Sequence, residues 1–332
     1  MRSINAGAVA VIHGTGRNLP ATGRLLLRSI AVTAFMVASG ASAWLHAAEL
    51  LAGAAKVDIT NVDAGPVNDR LYARALVIKS ATETAVLVSV DAVAIGEIGP
   101  IKNDYLGKVR GQLERELKIM PSSILINASH CHGIVCADVD VRTVQAVTEA
   151  SRNLSPVRIG IGVGHENRIM ENRRLKLKSG KVIDVRHAYS MPQDDAVAEV
   201  GPVDSQIGIL KLERLDGRTL AVVYNFACHP IQGVPSGGNT ADITGFSSKV
   251  IEENQSDGTV ALFFQGCGGD INPAGYKEFD APRNAEPLGN MLGLSTLAGL
   301  KKIRCATDQR LTVLNDSLTL PRADLAERIA AQ

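Results

Sequence analysis

The amino-acid sequence predicts an α/β protein with a mixed sheet flanked by helices. Short apolar runs rich in β-branched residues alternate along the chain with longer stretches of helical periodicity. Several of the apolar runs follow one another without a helix between them, which favours both parallel and antiparallel pairs in the sheet. Hydrophobic residues make up 45% of the 332 residues, enough for a packed core.

The individual elements follow from these patterns in chain order. Turn residues bound seven predicted strands: 73–79, 85–90, 124–127, 157–161, 207–212, 220–226 and 260–264. Apolar residues three and four apart predict five helices: 101–118, 141–153, 245–254, 288–303 and 323–331. Pro121 separates the first helix from the following strand, because proline has a fixed φ and no backbone donor.

Two segments lack a regular pattern. Residues 167–199 are polar and basic, then rich in turn residues, and we expect them to run over the surface. Residues 230–240 are rich in Gly, Pro and Ser and are predicted to form a loop of functional length.

The first 48 residues have the features of a secretory signal peptide. Arg24 and Arg28 precede an apolar run over residues 29–39, and small residues follow up to Ala48. The run is shorter than the ~20 apolar residues that span a bilayer, and a buried N-terminal helix is the alternative interpretation. We therefore expect a secreted or periplasmic protein without a transmembrane segment, with residues 49–332 as its folded domain.

The charge balance excludes some classes of partner. Lys and Arg number 35 against 34 Asp and Glu, which argues against a polybasic nucleic-acid-binding protein and against an acidic disordered tail. No nucleic-acid partner is expected. Five cysteines without CxxC spacing are too few for a disulfide scaffold, and their odd number leaves at least one thiol unpaired in an oxidising compartment.

Three of the predicted strands run into unusual polar sequences. His130-Cys131-His132 follows one strand, Cys228-His229 follows a second, and a glycine cluster at residues 266–269 with Asp270 follows a third. Ligands bind at the carboxyl ends of strands in open α/β sheets, so these groups are candidates for one shared site. The glycines match neither a phosphate loop nor a dinucleotide fingerprint, and we predict close backbone approach there, followed by a turn at residues 270–273.

The histidines are the candidate metal ligands. His130 and His132 are two residues apart, so on an extended segment both would face the same side. Either both bind a metal, or one binds it and the other meets substrate; the alternative is a hydrogen bond at a strand end. His229 supports a tetrahedral Zn²⁺ site, for which neutral imidazole is a common ligand. The residues alone give no third ligand, because the nearby acids fit helix caps or turns: Asp138, Asp140, Asp242 and Asp270.

Two further residue types near these motifs have plain interpretations. Cys131 would be activated as a nucleophile beside an imidazolium, but neighbouring residues of a strand point to opposite faces. Cys228 and Cys267 are predicted to be small buried residues. Arg173 lies in the polar segment, where its pattern indicates a solvated basic surface.

Taken together, these motifs resemble the N-terminal catalytic region of the neutral/alkaline, non-lysosomal ceramidase family. The similarity runs through residues 52–60, 68–75 and 88–91, and then through the sequences around His130, Asn172, His229 and Asp270. The resemblance implies a zinc-dependent amidohydrolase that cleaves the N-acyl bond of ceramide to sphingosine and fatty acid. It implies that His130 and His229 bind zinc, that His132 faces substrate or transfers a proton, and that Arg173 is an active-site residue. It also implies peripheral contact with membranes or lipid aggregates.

The chain departs from the family pattern at several positions. Cys131 replaces a Thr, Gly133 stands where Ser is common, and Asn272 replaces a Ser. The family's remaining zinc ligands, a Glu in a Pro-Gly-Glu turn and a later Tyr, have no matching motif here. We therefore expect a domain that is incomplete at its C-terminal end. The alternatives are an inactive or truncated protein with an incomplete metal site, and a related zinc hydrolase of another amide or ester.

Overall fold

The computed structural model describes residues 49–185, 190–234, 238–276 and 283–316, and the backbone of residues 9–14. Within these ranges the strands are β1 (Val9–Gly14), β2 (Leu51–Asp58), β3 (Tyr72–Lys79), β4 (Thr84–Val90), β5 (Ile124–Ala128), β6 (Ser155–His165), β7 (Met170–Asn172), β8 (Arg174–Leu177), β9 (Val182–Asp184), β10 (Val197–Val200), β11 (Gln206–Arg214), β12 (Thr219–Phe226), β13 (Val260–Gln265), β14 (Ile271–Pro273) and β15 (Gln309–Leu314). The α-helices are α1 (Tyr105–Leu117), α2 (Val139–Arg152), α3 (Asp242–Glu253) and α4 (Glu286–Leu300).

The main sheet has eight strands in the order β13-β12-β11-β6-β2-β3-β4-β5. Two pairs, β4–β5 and β12–β13, are parallel and the others are antiparallel. β6 pairs with β11 from Val157 to His165 but with β2 only at Ser155 and Pro156. The sheet therefore turns at this short contact into two half-sheets: the first is β2 to β5, and the second is β6 with β11 to β13.

The two half-sheets pack face to face between two layers of helices. The Ser89 hydroxyl donates to the carbonyl of Phe263 at 2.6 Å and so joins β4 to β13. One apolar core lies between the half-sheets, a second lies under α1 and α2, and a third lies under α3 and α4. Because both faces of these strands are covered, a strand such as β3 is a nearly continuous apolar run. The predicted class, a mixed sheet flanked by helices, is confirmed.

The predicted elements are present with small changes at their ends. All seven predicted strands form, and four of the five predicted helices form; the fifth, at residues 323–331, lies outside the described residues. β2 was indicated only by the family resemblance. The apolar run of the predicted leader, residues 29–39, also lies outside the described residues. Upstream of that run, β1 pairs with β15 in an antiparallel ladder.

Two irregular regions are more ordered than the sequence suggested. Residues 167–199 were expected to form a surface excursion, but they contain β7 to β10, of which β8, β9 and β10 form a small antiparallel sheet. Residues 270–273 were predicted to form a turn, but Ile271–Pro273 form β14, which pairs with β7 in a short antiparallel ladder. The ladder provides partners for backbone groups that a turn would leave unpaired. No helix in the described part of the chain has the length and apolar character needed to cross a membrane.

Candidate metal and catalytic site

Three imidazoles converge where the two half-sheets meet. His130 and His132 follow β5 of the first half-sheet, whereas His229 follows β12 of the second. The ring centroids of His130 and His229 are 4.7 Å apart, and those of His130 and His132 are 5.7 Å apart. The carboxyl ends of strands from both half-sheets thus bring together the three histidines that the sequence singled out.

His130 is held by a backbone conformation that the sequence did not predict. β5 ends at Ala128, and His130 has a φ of 69°, in the left-handed region that non-glycine residues seldom adopt. The expectation of an extended segment was therefore wrong, although the rings of His130 and His132 still lie on the same side. The His130 amide donates to the carbonyl of Ala92 at 3.0 Å, and its Nδ1 lies 2.7 Å from the carbonyl oxygen of Val93.

His229 is held in the same way by different elements. Its amide donates to the carbonyl of Ile271 at 2.9 Å, and its Nδ1 lies 2.6 Å from the carbonyl oxygen of Gly268. A Cβ at residue 268 would lie 3.1 Å from the backbone nitrogen of Cys228 and 2.6 Å from Nε2 of Gln265. Glycine at this position permits the close approach of the two loops, as predicted for the glycine cluster.

These contacts fix the tautomer of both rings. A carbonyl oxygen only accepts hydrogen bonds, so Nδ1 of His130 and of His229 carries the proton. With Nδ1 bound to a carbonyl, Nε2 is the ring nitrogen left to bind a metal, which is the usual arrangement of a metal-binding histidine. The backbone carbonyls of Val93 and Gly268 therefore prepare both imidazoles as ligands.

The electrostatic surroundings favour neutral imidazoles. Burial lowers the pKa of His132, and the charges of His130 and His229 lower it further. Burial also lowers the pKa of His229, with repulsion from His130 and Arg173 added, while its hydrogen bond to Gly268 acts in the opposite direction. Neutral rings at neutral pH are able to bind a metal or accept a proton.

The pair formed by His130 and His229 fits two positions of a zinc site. Two imidazoles bound through Nε2 to one tetrahedral zinc, with Zn–N bonds of about 2.0–2.1 Å, have ring centroids about 5 Å apart. The 4.7 Å separation agrees with this geometry. In the described ranges, however, no group of three or more His, Cys, Asp and Glu side chains is arranged to hold a metal ion. The described residues thus place two imidazoles at a separation that two ligands of one tetrahedral metal ion would have.

The four acids considered from the sequence are occupied elsewhere. Asp138, Asp140 and Asp242 lie at the N-termini of helices, where small acidic residues were expected. Asp270 precedes β14. Their carboxylates contact other groups of the protein: Arg142 for Asp138, the Val141 amide for Asp140, the Gly233 and Ile243 amides for Asp242, and Asn172 and Arg174 for Asp270.

Arg173 lies beside the histidines instead of on a solvated surface. Its side chain is only 12% exposed, and its Nε lies 3.0 Å from Oδ1 of Asp184. Its backbone amide donates to the carbonyl of Asp270 at 2.8 Å, one residue before the carbonyl that holds the His229 amide. Its charge contributes to the lowered pKa of His229. The interpretation as a solvated basic residue was wrong, whereas the active-site role that the resemblance implies stays a prediction.

The cysteines take no visible part in the site. All five are free thiols in the structure. Cys131 is fully buried, and burial raises the pKa of its thiol, which argues against a nucleophilic thiolate. Cys228 is buried as predicted, but Cys267 is exposed, because the glycine-rich turn after β13 directs it outwards.

Sequence reasoning missed the groups beneath His130. Arg74 and Asp91 form an ion pair whose side chains are 3% and 1% exposed, and the Tyr72 amide donates to Asp91 at 2.9 Å. Asp91 immediately precedes Ala92 and Val93, whose carbonyls hold His130. The sequence signal for this ion pair was an arginine inside the apolar run of β3. The backbone carbonyls that hold His130 have no signature in the sequence.

Comparison with known proteins identifies the fold. No protein-family profile matches the chain, and no curated protein matches it. Among solved structures, the neutral ceramidase from Pseudomonas aeruginosa superposes with a TM-score of 0.61 at 18% identity, covering 77% of this chain and 45% of that chain. A ceramidase complexed with C2 gives a TM-score of 0.61 at 19% identity, covering 77% of this chain and 44% of that chain.

The chain therefore has the fold of these neutral ceramidases over most of its length, in agreement with the resemblance of its motifs. It spans less than half of the length of each.

Proposed function

We propose that the protein is a zinc-dependent amidohydrolase of the ceramidase type, which cleaves the N-acyl bond of ceramide to sphingosine and fatty acid. One observation carries the proposal: His130 and His229, from opposite half-sheets, each bind a carbonyl through Nδ1 and have ring centroids 4.7 Å apart. The fold shared with neutral ceramidases supports the substrate class.

Each residue of the site has a part in the proposed reaction. His130 and His229 would hold the zinc ion, which when bound lowers the pKa of a water to ~7 and polarises a carbonyl. His132, which is neutral at neutral pH, would accept a proton from the attacking water and return it to the departing amine nitrogen. Arg173 would orient the acyl carbonyl or a substrate hydroxyl by its positive charge.

An apolar cavity of about 390 Å³ agrees with an apolar ligand, although neither the three histidines nor Arg173 line it. It opens between the half-sheets, where Leu125 of β5 faces Val223 of β12 and Phe264 of β13. Cavities of this size and character hold apolar ligands. With the leader predicted from the sequence, we propose an exported protein, secreted or periplasmic, that contacts membranes or lipid aggregates peripherally.

A second candidate is a ceramidase-like protein that is inactive because its metal site is incomplete. The observation in its favour is that no group of three possible ligands occurs among the described residues, whereas a catalytic zinc usually has three from the protein. A third is a zinc hydrolase of the same fold that acts on another amide or an ester.

Metal content and hydrolysis separate these candidates. The purified chain is loaded with zinc, and fatty-acid release is measured from ceramide with a labelled acyl group, from other N-acyl compounds and from esters. Stoichiometric zinc with fatty-acid release from ceramide supports the proposal. Fatty-acid release only from another amide or from an ester would support the third candidate instead. A folded protein that binds no zinc and releases no fatty acid contradicts the enzymatic function.

A further inference from the structure

Asn239 lies in the loop that follows His229, and its side chain is buried, with 5% of the residue exposed. Its Oδ1 accepts a hydrogen bond from the Ile134 amide at 2.8 Å. Its Nδ2 donates to the carbonyls of Ile134 and Asn61, both at 2.9 Å. The amide group therefore bridges three separate segments of the chain.

The backbone of Asn239 extends this bridge. Its amide donates to the carbonyl of Pro66 at 2.7 Å, and its carbonyl accepts from the Asn68 amide at 2.9 Å. Every hydrogen-bonding group of the residue thus has a partner. Buried amides with complete hydrogen bonding hold their neighbours in one arrangement, because any displacement leaves a polar group unpaired.

The bridge lies between the loops that carry the histidines. Ile134 is two residues after His132, whereas Asn239 is ten residues after His229, and residues 235–237 lie outside the described residues. The Gly233 amide donates to Asp242 at 2.7 Å and so connects the two described ends of this loop. Gly133 marks the contact between the loops, since a Cβ there would lie 2.6 Å from the carbonyl oxygen of Thr240. The histidines of the first half-sheet and the loop after His229 are therefore joined at one point.

We propose that Asn239 is a positioning residue, whose side chain ties the His130–His132 loop to the loop after His229 and so sets the separation of the imidazoles. The inference rests on the proposed function only in that this imidazole pair is the group being positioned. The residue type follows from the contacts, because an asparagine has one acceptor and two donors on a short side chain.

Substitutions at Asn239 test this role. Asn239→Asp replaces both donors by an acceptor that faces two carbonyls, whereas Asn239→Leu keeps the volume and removes all three hydrogen bonds. Thr219→Val is the matched control: it also removes a buried hydrogen bond, from Thr219 to Gln255 at 2.8 Å, but at the amino end of β12. If either Asn239 variant fails to fold, Asn239→Ser replaces it as the test variant.

Two measurements need no metal. Hydrogen exchange of the Ile134 amide should rise about tenfold or more in Asn239→Leu, since its acceptor is lost there, and less in Asn239→Asp, which keeps an acceptor oxygen. The nuclear Overhauser contact between the rings of His130 and His229, present in the native protein, should weaken. The control should leave both unchanged at comparable global stability. A merely structural role would instead raise exchange uniformly and preserve the ring contact.

Cobalt(II) absorption measures the consequence for a metal. The Asn239 variants should bind Co²⁺ about tenfold more weakly or worse than the native protein, and Thr219→Val should bind it equally well. An unchanged ring contact in the Asn239 variants would overturn the inference, whether or not Ile134 exchange rises. A native protein that binds no Co²⁺ would contradict the proposed function instead, while the ring contact still decides the role of Asn239.

Discussion

The two half-sheets prepare equivalent imidazoles by different means. Beneath His130, the first half-sheet has a buried ion pair between Arg74 and Asp91, and His130 itself has a left-handed backbone. Beneath His229, the second half-sheet has an apolar core with Tyr224 and Phe263 in edge contact, and a glycine-rich turn provides the carbonyl. The position of the His130 ring therefore depends on a buried ion pair. The position of the His229 ring depends on Gly268, which has no side chain to keep the two loops apart.

The largest effect is expected from the buried charge of the first half-sheet. Arg74→Met leaves the Asp91 carboxylate buried without its partner, and breaking such a pair costs roughly 3–5 kcal/mol. Urea denaturation measures this loss. Lys108→Met is the control, because its pair with Asp104 is exposed to solvent, where ion pairs contribute little to stability. Equal losses in the two variants would show that the first half-sheet does not depend on its ion pair.

A smaller loss of stability is expected when side-chain volume is added at Gly268 in the second half-sheet. Gly268→Ala places a methyl group 3.1 Å from the Cys228 nitrogen and displaces Gln265, at a cost of about 1–3 kcal/mol typical of overpacking. The methyl group should also displace the Gly268 carbonyl that holds His229. Affinity for Co²⁺ should therefore fall as well. Gly269→Ala is the matched control, since no atom lies within 4 Å of its Cβ position. If both alanine variants behave alike, close packing at residue 268 is not what fixes His229.

The smallest effect concerns the contact between the halves, where Asp69 accepts hydrogen bonds from the Thr240 hydroxyl and the Ala241 amide. Burial raises the pKa of Asp69 to about 6, despite these bonds. Between about pH 4 and pH 6 the folded state binds more protons at this group than the unfolded state, so its contribution to stability falls as pH rises and is constant above that window. The stability profile of Asp69→Asn should lack this slope, so the difference between the native and variant profiles should change with pH across the window. Identical slopes in denaturation series from pH 4 to pH 7 would exclude a raised pKa at Asp69.

The sequence predicted those features that are written in side-chain patterns. The strands around the three histidines were visible because both of their faces are buried and their apolar runs are nearly continuous. His130, His132 and His229 were visible because polar residues directly follow those runs. These patterns were sufficient for the fold class and for the imidazole cluster.

The remaining features depend on contacts between distant segments. The turn of the sheet at β6 results from its short pairing with β2, which no local pattern encodes. The carbonyls of Val93 and Gly268 belong to the backbone and have no sequence signature. Arg173 reaches the site because β7 pairs with β14, a short ladder without strand periodicity.

Metal binding by single histidine variants tests most directly whether His130 and His229 form a zinc-binding pair. Zinc stoichiometry and affinity are measured by isothermal titration calorimetry for the native chain and for His130→Ala, His229→Ala and His132→Ala, with circular dichroism to verify folding. The native chain and His132→Ala should each bind one zinc ion, whereas His130→Ala and His229→Ala should bind none. Zinc binding retained by both His130→Ala and His229→Ala would contradict the assignment of the pair.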